Sequence, residues 1–193
     1  MTSPLWTAEE GHAVMPDWSA VEARGPDAGK FLQSFCTNDV LKLADGESCE
    51  AMFTDVKAHV MAYAWVVRQA ADCYVALLFS DRAETLRSHL DRYLIREDVE
   101  LRVVAPRPWS VGVESFDELT VPLPALGEGV VASYGEATGL SLASEEFERR
   151  RILLGVPRDG VDVDERNLPQ EVDRVEQSIS FTKGCYLGQE PVA

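Results

Sequence analysis

From Val60 to Val67 the chain is apolar on both parities. Val60, Ala62, Ala64 and Val66 fall on one side of an extended strand, and Met61, Tyr63, Trp65 and Val67 on the other. Successive side chains of a strand point to opposite faces, so this strand must be covered twice. A sheet packed on one face cannot satisfy it; layers are required on each side. Residues 48–56 read as a hairpin partner across a short connection at Asp55 to Ala58, and Tyr74 to Phe79 as a third strand.

Around this centre the pattern alternates between periods of two and of 3.6. Asp27 to Phe35 reads as a helix, with Pro26 at its start and Ala28, Phe31, Leu32 and Phe35 on one face. A second helix begins after Asp81, the expected cap, with Glu84 three residues on and a stripe of Leu86, Leu90 and Tyr93 or Leu94. Val99 to Val104 reads as a strand, and Pro106-Arg107-Pro108 marks a joint. Short strands are expected at Ser110 to Glu114, Val121 to Leu126 and Gly129 to Tyr134. A helix capped at Ser144 runs to about Leu154, where Gly155 and Pro157 stop it. The sum is an α+β fold with mixed and antiparallel sheets and flanking helices, not a doubly wound sheet. Two packed subdomains are expected, residues 46–104 as a βαβ-like unit and 1–45 with 105–193 as the other.

Lys and Arg number 18 against 33 Asp and Glu, a formal net charge of −15. Nucleic acid and anionic membrane both demand a basic face, so neither is expected as a partner. No run approaches the ~18 apolar residues of a membrane span. The first residues, Met1-Thr2-Ser3-Pro4, lack the basic and apolar regions of a signal peptide. The cytoplasm is the expected compartment. The four cysteines, at 36, 49, 73 and 185, have no zinc-ligand spacing, and the first three lie in apolar runs.

Cys185 differs. It stands in Lys183-Gly184-Cys185-Tyr186-Leu187-Gly188-Gln189-Glu190. Gly184 and Gly188 permit positive φ and close backbone approach. A lysine two residues away favours the thiolate, the form that attacks electrophiles or binds metal. The alternative reading is a small residue packed under a loop. His12, His59 and His89 are scattered and carry no assigned role.

The octapeptide resembles the K-G-C-Y-x-G-Q-E signature of the YgfZ-type folate-binding proteins, relatives of the aminomethyltransferase (T-protein, GcvT-like) of glycine cleavage. Further stretches follow that family in order: Phe31-Leu32-Gln33 through Thr37-Asn38-Asp39-Val40, Phe53-Thr54-Asp55-Val56-Lys57-Ala58-His59-Val60, Gly155-Val156-Pro157, Leu168-Pro169-Gln170-Glu171 and Ile179-Ser180-Phe181. At Lys57-Ala58 the family usually carries Lys-Gly. The resemblance implies a tetrahydrofolate-binding fold over residues 1–193. It also implies a role in assembling or maintaining iron–sulfur clusters, with Cys185 as the functional thiol. Folate, assembly proteins and client enzymes are the partners it implies.

Given such a ligand, Tyr186 offers a ring to stack on a pterin, though it serves equally as a core aromatic. Gln189 and Glu190 offer groups that read a pterin edge, or they open a helix. Lys183 could hold an anionic tail or be an exposed loop lysine. Arg151, in the run Arg149-Arg150-Arg151, matches the folate glutamate tail because guanidinium pairs with carboxylate bidentately; a solvated helix face is the plainer alternative.

Three departures bear on activity. The T-protein Asp-Asp pair falls near Met61-Ala62-Tyr63, which holds no carboxylate, so ordinary aminomethyl transfer is not expected. The pterin-anchoring glutamate falls near Leu153 or Leu154. The family's final β-barrel domain is absent from the 193 residues. A folate-dependent one-carbon transferase with altered residues, and a scaffold whose folate site has decayed, are the alternatives to the folate-binding assembly protein.

Overall fold

In the computed structural model, two five-stranded sheets and their flanking helices account for both coverings that residues 60–67 demand. The structure describes Trp6 and residues 11–113, 115, 117, 119–139 and 141–192. The expected strand end at Glu114 and the N-terminal residues 1–4 lie outside these. Strands β1 (His12–Met15) and β2 (Ser19–Arg24) are followed by α1 (Ala28–Gln33), β3 (Ser48–Thr54), β4 (Val60–Ala70) and β5 (Cys73–Leu78). Then come α2 (Ala83–Asp91), β6 (Glu100–Val103), β7 (Trp109–Gly112), β8 (Thr120–Pro122) and β9 (Val131–Tyr134). The last elements are β10 (Ser141–Leu142), α3 (Ser144–Leu153) and α4 (Val175–Ser178).

One sheet has the order β3-β4-β5-β2-β6 with every neighbour antiparallel. The other, β10-β1-β7-β9-β8, is antiparallel except where β1 runs parallel to β10. The α+β expectation, with mixed and antiparallel sheets, is met. Parity then decides the layers. Trp65, Val67, Val75 and Leu77 face the second sheet and pack with Trp109, Val111, Val121 and Ala132. Ala62, Ala64, Val66, Ala76 and Leu78 face α1 and α2, meeting Phe31, Leu32, Leu86 and Leu90. Small residues on the helix side let the helices approach; the large rings fill the space between sheets.

The expected subdomain boundary at residue 46 does not match the strand order. β2 lies between β5 and β6, so the first sheet draws on residues 19–24 as well as 48–103. The split β5-α2-β6 unit encloses it. Local periodicity could not reveal this, because β2 pairs with strands about fifty or more residues away and carries the charge of Glu22 in mid-strand. That carboxylate is buried and meets Arg102 across the strand pair at 2.9 Å, and Arg24 at 3.1 Å. Asp81 does not cap α2. The Ser80 and Ser19 hydroxyls accept from the amides of Arg82 and Ala83 instead. α3 ends as expected at Gly155, whose φ is +64°.

Residues after α3 cross the β3–β4 side of the first sheet. Val163 packs on Met52, Val60 and Tyr63, with Val172 beside them. The amide of Val60 donates to the Asn167 carbonyl at 3.0 Å, and Thr37 Oγ to the Ser178 carbonyl at 2.6 Å. This covering delivers the last residues to the end of α1 and the tip of the β3–β4 hairpin.

Candidate functional site

The loop after Phe181 is held from below. Lys183 Nζ donates to the carbonyls of Gln33 (2.7 Å), Cys36 (2.6 Å) and Asn38 (2.9 Å). An ammonium has three protons, and all three are used. The acceptors lie at and just beyond the C-terminal end of α1, where carbonyls lack helical partners and a cation is favoured. Leu187 then donates its amide to Ser34 O at 2.9 Å and accepts at its carbonyl from Thr54 Oγ at 2.5 Å. Gly188 has φ +78°, and a Cβ there would stand 2.2 Å from the Asp55 carbonyl oxygen. Only glycine permits this approach to the hairpin turn. Tyr186, Ile179, Val192 and Ala58 close an apolar cluster beneath the loop. Ala58 itself takes φ +68°, at the position where the family usually has glycine.

Above this anchored base stands Cys185, a free and exposed thiol. It faces a groove of about 650 Å³ lined by Val56 of the hairpin tip and by residues 185–191. The volume lies in the range of small-molecule sites, roughly 300–1,000 Å³. Among the described residues no group of three or more His, Cys, Asp or Glu is placed to hold a metal ion. The other thiols are structural. Cys36 and Cys73 are buried and Cys49 is half-buried, and burial pushes all three upward in pKa. Cys185 is therefore the thiol in this chain that a partner or ligand can reach.

Several expected roles change on this geometry. Lys183 neither rests on Cys185 nor presents its charge to a ligand. Its ammonium is spent on three carbonyls, lies 4.0 Å from the sulfur of Cys36, and is depressed in pKa by burial. Tyr186 is 7% exposed. The Lys183 cation lies 5.1 Å from its ring centroid, and burial raises the phenol to about 12. It is a core aromatic at the groove floor rather than an open stacking platform. Gln189 uses its side-chain oxygen to accept from the Tyr186 amide at 3.2 Å. Glu190 is exposed in the groove, and Gly184 has open space where a side chain would lie. Arg151 is buried on α3, where Glu148, Asp162 and the Val156 carbonyl take up its guanidinium. It clamps the turn after α3, so the fork expected for a glutamate tail is already occupied. Leu153 is exposed and Leu154 half-buried.

A polar junction that sequence reading did not single out lies under the C-terminal covering. Glu50, in mid-strand on β3, is 4% exposed and forms a two-pronged pair with Arg174, with Nε to Oε2 at 2.8 Å. The Tyr63 hydroxyl donates to the same carboxylate. Burial alone would lower Arg174, but the Glu50 carboxylate more than offsets it. The Tyr63 amide donates to Asp159 at 2.8 Å, and Ser80 to the other oxygen of that carboxyl at 2.8 Å. Burial raises the Asp159 pKa despite these donors. Met61-Ala62-Tyr63 thus holds no carboxylate of its own, yet two carboxyl groups reach Tyr63 from elsewhere, both fully engaged. One sequence signal was available: a lone glutamate inside the apolar run Cys49–Phe53 requires a cationic partner.

No family model matches the chain. It is 27% identical over 188 residues to an uncharacterized protein of Haemophilus influenzae, covering 93% of this chain and 66% of that protein. It is 26% identical over 205 residues to the iron–sulfur cluster assembly factor IBA57 homolog, mitochondrial, of Neurospora crassa, covering 88% of this chain and 47% of the relative. The chain thus spans about half to two thirds of the length of these curated relatives. Among solved structures, the glycine cleavage system aminomethyltransferase T of Bartonella henselae superposes with a TM-score of 0.48 at 15% identity, over 52% of this chain and 28% of that one. Among the described residues no helix is long and apolar enough to cross a membrane. Over most of its length the chain is thus similar in sequence to the IBA57 homologues and to the Haemophilus influenzae protein.

Proposed function

We propose that the chain supports the assembly or maintenance of iron–sulfur clusters in partner proteins, acting in the cytoplasm, with Cys185 as its functional thiol and tetrahydrofolate as a ligand. The observation that carries this reading is an exposed thiol on a loop pinned at several points, facing a groove of about 650 Å³. A rigid base with one free nucleophile suits contact with an incoming group. Cys185 supplies one sulfur, so a cluster or metal ion handled here would draw its other ligands from the partner. The cluster is cargo in this scheme, not a resident cofactor.

The lining of the groove supports this reading for the ring end of tetrahydrofolate. Val56, Leu187 and Pro191 give an apolar wall, and the exposed Glu190 carboxylate is an acceptor for a ring N–H edge. Arg151 and Lys183 are engaged within the protein and do not hold its tail. Aminomethyl transfer is not part of the reading, because the carboxyl groups of Glu50 and Asp159 near Tyr63 are both committed to internal partners. The same internal engagement of Arg151, Lys183 and Tyr186 favours one alternative, a scaffold that uses Cys185 without folate.

Two measurements separate these. Cys185→Ala should abolish support of iron–sulfur enzymes in cells lacking the native protein, while the purified variant keeps its unfolding midpoint; full activity would exclude the thiol role. Calorimetric titration of the chain with tetrahydrofolate under reducing conditions should give saturable binding. A folded chain that binds none selects the scaffold.

A further inference from the structure

Of the three histidines only His89 is buried; it lies on the inner face of α2 and is 2% exposed. Both ring nitrogens are engaged. Arg92 Nη2 lies 2.7 Å from Nδ1, and Nε2 lies 3.1 Å from the Thr54 carbonyl oxygen. A guanidinium can only donate. Nδ1 is therefore the acceptor, and the proton sits on Nε2, which donates to Thr54. The contacts select one tautomer of the ring. Burial, and then the Arg92 charge, lower the pKa of the imidazole, against the opposing pull of the Thr54 carbonyl and Asp55. The neutral ring is thus the form these contacts hold. Packing alone would be served equally well by leucine, the residue at the neighbouring stripe positions 86 and 90; two paired nitrogens are what leucine lacks.

The acceptor of that bond is tied to the cysteine loop. Thr54 is wholly buried and ends β3 at the edge of the first sheet. The register on β4 shifts there: Phe53 pairs with Ala62 but Thr54 with Val60. Such an irregularity re-aims the groups at a strand end. The Thr54 carbonyl meets α2, while its hydroxyl donates to the Leu187 carbonyl at 2.5 Å, two residues beyond Cys185. The following residue, Asp55, presents the carbonyl that Gly188 approaches. One end of the hairpin therefore carries the loop on one side and is held by a helix side chain on the other.

We infer that His89, as its neutral Nε2–H tautomer, is a positioning residue for Cys185: it fixes the end of β3 through Thr54, and Thr54 fixes the loop beside the thiol. Groups that hold a site in place through a second layer of hydrogen bonds act in this way. The inference rests on the proposed function only in taking Cys185 as the group to be positioned.

The tautomer is tested first, on the full wild-type chain. Ring ¹⁵N resonances of His89 at neutral pH should show Nε2 protonated and Nδ1 bare; the reverse pattern overturns the inference. Two variants then separate hydrogen bonding from packing. His89→Leu fills the space and offers no polar atom. His89→Gln offers an amide N–H to Thr54 and an oxygen to Arg92. In His89→Leu the Leu187 amide, which donates to Ser34, should exchange its hydrogen about tenfold faster, while amides of β7 and β9 in the other sheet keep their rates. His89→Gln should restore the wild-type rate at Leu187. Thr54→Val, which deletes only the hydroxyl bond to Leu187, should behave as His89→Leu does. Unchanged exchange at Leu187 in His89→Leu, equal acceleration in β7 and β9, or a His89→Gln chain that matches His89→Leu overturns the inference.

The thiol supplies the second readout. The Cys185 thiolate attacks one sulfur of di-2-pyridyl disulfide, the S–S bond breaks, and 2-thiopyridone leaves with the electron pair. A mixed disulfide forms, the reagent being the oxidant, and its rate is read by absorbance. A Cys185→Ser chain fixes the background. The pyridyl ring can use the apolar wall of Val56 and Pro191, whereas bis(2-hydroxyethyl) disulfide is too small and polar to do so. The ratio of the two rates should fall about threefold in His89→Leu and return in His89→Gln, because only a positioned thiol benefits from the groove. An unchanged ratio in the folded His89→Leu chain overturns the inference. Loss of in-cell function in Cys185→Ala depends on none of these outcomes, so the two proposals fail separately.

Discussion

The junction of Glu50, Tyr63 and Arg174 and the loop around Cys185 are both built by the C-terminal stretch folding back on the first sheet, and they differ in what is left over. At the junction every polar group has found a protein partner: carboxylate, guanidinium, hydroxyl and the Tyr63 amide. In the loop the same economy holds below the backbone, with Lys183, Leu187 and Gly188 fully committed, and stops above it. Cys185, Gly184 and Glu190 are exposed, and among the described residues no side-chain hydrogen bond or ion pair engages Cys185 or Glu190. The contrast separates groups that explain why the chain folds from groups that need another molecule to explain them.

Removing the junction's cation should have the largest effect. Arg174→Met leaves Glu50 buried without its charge partner, and urea unfolding should show a loss of about 3–5 kcal/mol. Adding Glu50→Gln should recover most of it; no recovery would mean that packing, not charge, holds the junction. Gly188→Ala comes next. Its Cβ meets the Asp55 carbonyl at 2.2 Å and its φ is +78°, so a loss of about 2–4 kcal/mol is expected from strain and displacement together. A loss below about 0.5 kcal/mol would show that the loop does not rest on the hairpin turn. Lys183→Met should cost about 1.5–3 kcal/mol, because three carbonyls lose a charged donor. That variant should slow mixed-disulfide formation at Cys185 only as far as the loop loosens. If its effect were confined to the thiol, with stability unchanged, the separation between base and exposed face would be wrong.

The sequence reading of the centre was sound because apolar parity is a local property. Trp65 and Ala64 sit on opposite faces of β4 as alternation requires, and both coverings exist. It failed where the cause is distant. β2 enters the first sheet between strands it does not adjoin in sequence, and Ser19 caps a helix that begins at Ala83. The site divided in the same way. Cys185 stood out by its neighbours, and Gly188 by the need for a close approach. Lys183 departs from the expectation because adjacency along the chain suggests adjacency in space, whereas a side chain of that length reaches the end of α1. Arg151 was drawn toward a ligand for want of visible partners, and Glu148 and Asp162 supply them only after the turn at Gly155 folds back.

The partners of Lys183 lie 145 to 150 residues earlier in the chain. During synthesis the end of α1 therefore emerges long before the lysine that will hold it, and the carbonyls of Gln33, Cys36 and Asn38 wait in water until then. Contacts of such separation form late. The loop that carries the thiol is therefore fixed in place only after the strands of both sheets have been made.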